Sequence, residues 1–155
     1  KEDIVEIPGD LRAGCPVFLN AMKNSNISVP ADPGSVITWD NLISSKGGGY
    51  EPSTGIFTAP LAGYYRIYIF GSSANGTAIW IYLYLNPLPL AQDALQNQNV
   101  IARVYSTTGT AYRSIGSIEQ ILYLNVGDRI VARTRGQNSI FQGERNSFSI
   151  NYFSK

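Results

Sequence analysis

Short runs of apolar and aromatic residues, separated by Gly, Pro and Asn, follow one another along most of this chain. Several of them alternate with a period of two, the spacing that places side chains on the two faces of a β-strand. Roughly nine such runs predict an all-β sandwich or jelly roll. The predicted strands cover residues 16–22, 36–40, 55–58, 63–70, 78–86, 99–105, 114–124, 128–135 and 147–154.

The stretch from Tyr50 to Tyr65 gives the sharpest local prediction. Residues 52–55 read Pro-Ser-Thr-Gly, in which Pro presets φ and Gly is free to take a positive φ, so a tight turn is expected. A short strand follows and ends before Pro60, because Pro cannot donate to a β-ladder. Gly63 then opens a long apolar strand.

The strands predicted at residues 63–70 and 78–86 are apolar or aromatic on both faces. A two-layer antiparallel sandwich buries only one face of each sheet, so the second faces need another cover. We expect a subunit interface to supply it, and the alternative is that long loops of the same chain fold over these faces. The side chains concerned are Tyr64, Tyr68, Phe70, Trp80, Tyr82 and Tyr84.

The composition narrows the class of protein. With 155 residues the chain fits one domain, predicted at residues 14–155 after a polar tail at residues 1–13. Its formal net charge of +1 predicts no general attraction to nucleic acid or to an anionic membrane, and no apolar run is long enough for membrane insertion. The start at Lys1, without Met, suits a processed secreted protein. Cys15 is either a small buried apolar residue or the site of an intermolecular disulfide.

Catalytic chemistry is not expected. The chain has no His, which removes the commonest general base and metal ligand, and its eleven acids are scattered without pairing. One acid, Asp128, is predicted to be a turn residue that accepts backbone N–H groups. Arg129, Arg133 and Arg135 share one face of a predicted strand. This face is either an ordinary solvated outer face or a basic stripe that meets the same stripe of the other subunits in a trimer and forms an anion site.

Two polar loops carry the residue types of a sugar site. Aromatic rings suit the C–H face of a sugar, whereas amides, acids and Arg suit its hydroxyl and carboxylate groups; ordinary polar loops are the alternative. One loop joins the strands that end near residue 105 and begin near residue 113, and the other precedes the last strand. The candidate ligand-binding residues are Tyr105, Tyr112, Arg113, Asn138, Gln142, Glu144 and Arg145.

The spacing Tyr50-x6-Phe57-x5-Gly63-x-Tyr65 resembles the globular head domain of the complement C1q family, which is related in fold to tumour necrosis factor. The segments at residues 36–41, 122–131 and 148–150 also resemble that family, so the likeness extends over about residues 14–155. The sequence departs from it in ways that resemble a distant, invertebrate-type member. The departures are Trp39, Ser45, Ile67, Ile69 and Ile150.

The resemblance implies a ten-stranded jelly roll and a compact homotrimer whose interface holds the second-face aromatics named above. It implies a secreted, non-enzymatic recognition protein of innate immunity that binds glycans as a lectin, including sialic acid or other anionic surface glycans. Calcium stays an alternative, since several family members hold it near the trimer axis, whereas this sequence has no dense cluster of acids. The other functions considered are a cytokine-like ligand for a cell-surface receptor and an extracellular matrix protein.

Overall fold

The computed structural model describes residues 15–24, 27–28, 35–88, 99–106, 113–134, 140–141 and 146–154. These residues form β-strands and no helix, as the sequence predicts, and the predicted tail at residues 1–13 lies outside them. The strands are β1 (Phe18–Met22), β2 (Ile27–Ser28), β3 (Ser35–Val36), β4 (Asn41–Lys46), β5 (Tyr50–Glu51), β6 (Ile56–Thr58), β7 (Gly63–Asn75), β8 (Ile79–Leu85), β9 (Val100–Ser106), β10 (Arg113–Leu124), β11 (Arg129–Thr134), β12 (Ile140–Phe141) and β13 (Ser147–Ser154).

Two antiparallel sheets form a jelly-roll sandwich, so the predicted fold class is confirmed. The first sheet runs β10–β7–β13–β1–β4, and the short strand β12 joins β7 to β2. The second sheet runs β5–β6–β11–β8–β9, with β3 also paired to β11. Because β7 pairs with β10 on one side and with β13 on the other, it is an interior strand of the first sheet.

The main differences from the predicted strands lie before Tyr50 and at the end of β7. Residues 37–40 do not continue β3, because the Trp39 N–H donates to the Tyr50 hydroxyl (2.9 Å) and not to a neighbouring strand. Strand β4 was not predicted, since most of its side chains are exposed and its sequence Asn-Leu-Ile-Ser-Ser-Lys lacks alternation. Strand β7 continues past the predicted end at Phe70 as far as Asn75.

The core lies between the two sheets and is rich in aromatic rings. Trp39 stacks on Phe148 with ring centroids 4.4 Å apart, and Phe57 meets Tyr65 edge to face at 5.8 Å. All four of these residues are fully buried. Aromatic pairs in offset-stacked and edge-to-face geometry add to the stability that burial of their large surfaces provides.

Two glycines fix the path of the chain through residues 50–65. Gly55 closes the predicted turn with φ +70°, and a Cβ there would lie 2.6 Å from the Ile37 carbonyl oxygen. Gly63 has φ +153°, and a Cβ there would collide with the Ser154 carbonyl oxygen and lie 2.5 Å from the Tyr152 ring. Only Gly permits this close approach of β7 to the last strand.

Cys15 lies half-buried just before β1. Its Sγ is 2.8 Å from the Tyr152 carbonyl oxygen and 2.9 Å from the Val17 carbonyl oxygen. The thiol is therefore held against the start of β1 and the end of β13 within the chain.

Candidate functional site

The six aromatic residues predicted for one interface lie on two opposite outer faces of the sandwich. Tyr64, Tyr68 and Phe70 alternate with buried core residues on β7 and therefore lie on the outer face of the first sheet. The other three alternate with the buried residues Ile81 and Leu83 on β8. Trp80, Tyr82 and Tyr84 consequently lie on the outer face of the second sheet, and no single flat interface contains both groups.

The outer face of the first sheet remains open and apolar. Tyr64 contacts two rings there, that of Tyr123 at 5.3 Å and that of Phe153 at 6.0 Å. One exposed ion pair crosses the face, from Arg66 Nε to Glu119 Oε1 at 2.7 Å. Five large apolar side chains of the face are each between 43% and 63% exposed, which makes this an apolar patch of the kind that marks an interaction surface. They are Tyr64, Ile115, Ile121, Tyr123 and Phe153.

Part of the outer face of the second sheet is instead covered by the chain itself. Asn86 has φ +50° and turns the chain after β8, so that Pro87 and Leu88 fold back over the sheet. Tyr84 is fully buried although it lies outside the core between the sheets, and it therefore has no exposed surface to contribute to a subunit interface. For this part of the second sheet, the chain itself covers the outer face, which is the alternative to a subunit interface that the sequence left open.

The same cover buries part of the arginine stripe, so the solvated outer face considered for it is wrong at Arg133. The Arg133 side chain is 4% exposed, its Nη2 donates to the Leu88 carbonyl oxygen (2.7 Å), and its Cζ lies 4.6 Å from the centroid of the Tyr84 ring. Arg129 is exposed at the start of the same strand. Arg135 lies outside the described residues.

The opposite edge of this outer face carries a group of two exposed and two half-buried aromatic and basic residues. Trp80 pairs with Tyr105 across β8 and β9, and their rings meet edge to face at 4.5 Å. Tyr82 pairs with Arg103 in the next register position on the same face. Tyr105 is 56% exposed, and Arg103 is exposed as well. These four residues, Trp80, Tyr82, Arg103 and Tyr105, form what we call the aromatic edge.

Hydrogen bonds bring the ends of both candidate loops together at one end of the sandwich. The Ser114 N–H donates to Ser73 Oγ (3.0 Å), and Ser114 Oγ donates to the Ser106 carbonyl oxygen (3.4 Å). The buried Asn146 accepts the Ser72 N–H at its Oδ1 (3.3 Å), and Phe141 pairs with Ser73. The described residues that flank the two candidate loops, Ser106 and Ser114 for one and Phe141 and Asn146 for the other, therefore lie near the same part of β7.

The structure places the predicted ligand-binding residues only in part. Tyr105 lies on the aromatic edge, and Arg113 begins β10 close to the end of β9. Sequence reasoning assigned Trp80 to the subunit interface and did not single out Arg103. The period of two along β9, which puts Arg103 and Tyr105 on one face, is the signal that links them. Tyr112, Asn138, Gln142, Glu144 and Arg145 lie outside the described residues.

Asp128 organises the turn between β10 and β11, as predicted. Its Oδ2 accepts the Asn125 N–H (2.8 Å), and its Oδ1 accepts the side-chain amide of Asn86 (2.8 Å). The hydrogen bond from Asn86 and that from the Asn125 backbone hold the pKa of Asp128 below its ordinary value. Among the described residues, no group of three or more acidic, Cys or His side chains is arranged to hold a metal ion.

The fold and sequence together define the family. The family model for the C1q domain matches residues 18–154, and the chain belongs to this family. The globular domain of zebrafish complement 1qA is similar in structure, with a TM-score of 0.68 and 13% identity over 90% of this chain and 99% of that one. The Eiger TNF of S. frugiperda also has a TM-score of 0.68 and 13% identity, over 90% and 94% of the two chains. Murine APRIL has a TM-score of 0.65 and 12% identity, over 88% and 98%.

Domains of the C1q family, and the tumour-necrosis-factor domains that share its fold, have functions of one general class. C1q and tumour-necrosis-factor domains are non-enzymatic recognition or cytokine-like domains, typically extracellular, whose members form trimers and bind ligands or receptors. Within the described ranges the chain has no helix that could cross a bilayer.

Proposed function

We propose that this protein is a secreted, non-enzymatic homotrimer that recognises glycans, including sialylated or other anionic glycans, in innate immune pattern recognition. The observation that carries this proposal is the aromatic edge, where the half-buried Trp80 and the exposed Tyr105 lie on the same sheet face as the exposed Arg103. An aromatic ring packs against the C–H face of a sugar, and an arginine fork pairs with a carboxylate in bidentate geometry. The strand pair β8–β9 thus carries both the aromatic rings and the arginine that such a glycan would need.

The position of the edge adds support. Tyr105 is followed by Ser106, which is hydrogen-bonded to the start of β10 at Ser114. A ligand on the aromatic edge would therefore lie near Ser106 and Ser114, the described residues on either side of the candidate Tyr112 in the sequence. We include Arg113 in the same proposed site because it directly precedes Ser114, whose side chain is hydrogen-bonded to Ser106.

A trimer explains the apolar outer face of the first sheet and gives the proposed recognition its strength. Association through Tyr64, Ile121, Tyr123 and Phe153 would remove those side chains from water. The aromatic edge lies on the other sheet and stays accessible. Three weak sites held in one rigid particle raise avidity by about 10²–10⁴-fold when the spacing of the glycans fits.

The oligomer is tested first. Analytical ultracentrifugation should give a mass of about three 16.9-kDa chains at micromolar concentration. Ile121→Glu puts a charge in the middle of the apolar face and should yield monomers. Val126→Glu introduces the same charge at an exposed residue in the β10–β11 turn and should remain trimeric. A wild-type chain that stays monomeric would refute the interface.

The ligand is tested on a glycan array with the trimeric protein. Binding above background is expected, with a preference for acidic glycans. Trp80→Ala and Arg103→Gln should each weaken it by about tenfold, and Arg113→Ala and Arg145→Ala test the two loops. Lys46→Gln removes one positive charge from an exposed position on β4 and should bind as wild type does.

The second candidate is a cytokine-like protein ligand, and the favouring observation is the similarity in fold to Eiger TNF and APRIL. It predicts glycan-independent binding to one cell-surface protein. An array without signal, together with nanomolar binding to a membrane receptor that Trp80→Ala leaves unchanged, would establish it in place of the glycan proposal. An extracellular matrix role is less favoured, because eleven acids in 155 residues are few for mineral or capsule binding.

A further inference from the structure

A cavity lies on the outer face of the second sheet, beneath the segment that follows β8. Its volume is about 170 Å³. Apolar side chains from three strands and from the covering segment form most of its wall, and two arginines complete it. The lining residues are Val36, Ile56, Pro87, Leu88, Arg129, Val131 and Arg133.

Hydrogen bonds of Asn86 fix the cover of this cavity in place. The Asn86 N–H donates to the Arg129 carbonyl oxygen (2.8 Å), and Asn86 Oδ1 accepts the Arg129 N–H (2.8 Å). The side-chain amide of Asn99 donates to the Asn86 carbonyl oxygen (2.8 Å). Pro87 and Leu88 thus leave the sheet at a defined angle, and the space beneath them is preformed, as small-molecule sites usually are.

The charges around the cavity favour an anion. No acidic residue is among the lining residues, and both Arg129 and Arg133 carry a permanent positive charge. Arg133 is held by the Leu88 carbonyl oxygen and the Tyr84 ring, so its side chain forms a fixed part of the cavity wall. Arg129 is exposed at the margin and, within the described part of the chain, has no ion pair.

The apolar wall and the volume restrict the ligand further. The cavity is half open to solvent, and its volume of about 170 Å³ leaves room for a body of about six carbon atoms against its apolar wall. A sugar or an inorganic phosphate would place polar groups against Val36, Ile56 and Val131 without hydrogen-bond partners, which disfavours both. The ligand must therefore combine a small apolar body with a single anionic head.

We propose that this cavity binds a small monocarboxylate with an apolar body, such as a six-carbon fatty acid or an aromatic carboxylic acid. The apolar body lies against Val36, Ile56 and Val131, and the carboxylate meets the guanidinium of Arg129 at the margin. The site is separate from the aromatic edge, and the proposal does not depend on glycan recognition.

Isothermal titration calorimetry with hexanoate, hexan-1-ol and acetate tests the proposal on the intact protein. Hexanoate should bind with a dissociation constant of about 1 mM, and both other probes at least about tenfold more weakly, because one lacks the charge and the other the apolar body. Backbone amide resonances of Val36, Ile56 and Val131 should shift on addition of hexanoate. Equal binding of hexan-1-ol, or shifts confined to other residues, would overturn the proposal.

Variants at two lining residues locate the site. Arg129→Gln changes an exposed side chain and should weaken hexanoate binding about tenfold, with partial recovery in Arg129→Lys. Ile56→Phe adds bulk to the wall and should abolish binding. Lys46→Gln, the charge-matched control on the other sheet, should bind hexanoate as wild type does. Unchanged affinity in Arg129→Gln would show that the carboxylate is held elsewhere and would reject the site.

Discussion

Replacing Tyr50 by Phe tests how the chain is held together before β6. The Tyr50 hydroxyl accepts a hydrogen bond from the Trp39 N–H (2.9 Å) and donates one to the Trp39 carbonyl oxygen (3.2 Å). One side chain therefore satisfies both backbone polar groups of a fully buried residue. These two bonds take the place of the backbone hydrogen bonds to β11, the last of which runs from the Ile37 N–H to the Ala132 carbonyl oxygen (2.9 Å). Tyr50→Phe keeps the ring and removes both bonds.

The expected loss of stability follows from burial. Leaving a buried backbone donor or acceptor without its partner costs about 1–3 kcal/mol, so we expect about 2 kcal/mol for Tyr50→Phe. For a domain of this size that corresponds to a decrease in Tm of about 4–8 °C. Tyr105→Phe removes a hydroxyl from an exposed ring and should change the free energy of unfolding by less than about 0.5 kcal/mol.

Denaturant unfolding and thermal scans at equal protein concentration measure the effect, since an oligomer makes Tm depend on concentration. A second measurement uses the pKa of Tyr50, which burial raises from 10.0 to about 12. As pH rises, the Tyr50 hydroxyl loses its proton at a lower pH in the unfolded chain than in the folded one. The contribution of Tyr50 to the free energy of unfolding is therefore complete below pH 10 and is lost as pH rises toward 12. Tyr50→Phe should remove that part of the alkaline destabilisation. Wild-type stability in the variant would refute the reasoning.

Two further predictions concern close contacts in the fold. Gly63→Ala should destabilise by about 3 kcal/mol or more, because its Cβ would collide with the Ser154 carbonyl oxygen. Asp40→Asn should cost about 1–3 kcal/mol, because Asp40 Oδ2 lies 2.7 Å from the ammonium of Lys23, whose side chain is only 8% exposed. Partial burial acts to raise the pKa of Asp40, but the hydrogen bonds from Lys23 and the Asn24 N–H together hold it below 3.8. Its contribution is therefore present above pH 3.8 and is lost as pH falls through the lowered pKa.

Controls separate these effects from general sensitivity to mutation. Gly48→Ala places a Cβ at φ +73° with no atom within 4 Å, so it should cost only the conformational penalty of about 1 kcal/mol. In urea unfolding, Gly63→Ala should have a much lower free energy of unfolding than Gly48→Ala. Equal free energies would contradict the predicted collision of the Cβ at residue 63. Unfolding of wild type and Asp40→Asn as a function of pH should show their difference shrinking in acid, and a constant difference would remove the ion pair as its cause.

The two outer faces of the sandwich have different environments, and this difference bears on function. The first sheet presents apolar side chains to solvent on β7, β10 and β13, whereas the second is partly covered by its own chain and exposes an aromatic and basic edge. A chain that associates through the first sheet keeps the second available. Self-association and ligand binding can therefore coexist on one domain of this size.

The amino-acid sequence by itself determined the fold class and the family. The alternation of apolar residues places Tyr65, Ile67 and Ile69 on one face of β7, and turn chemistry at Gly55 and Gly63 sets the ends of the strands. Both are local properties, because the period of a strand and the sterics of φ depend only on neighbouring residues. The short exposed strand β4 lacked such a signal, since an edge strand needs no buried face.

The tertiary structure alone decided what covers each outer face. Trp80, Tyr82 and Tyr84 have the same pattern in the sequence, yet Trp80 joins Tyr105 at the edge while Tyr84 is buried beneath the chain that Asn86 turns back. The alternation of apolar and polar residues predicts which residues share a face of a strand. It does not predict whether that face contacts solvent, a partner subunit or a distant loop. That depends on contacts between residues far apart in the chain, so burial of Arg133 and the cavity beside it follow only from the folded molecule.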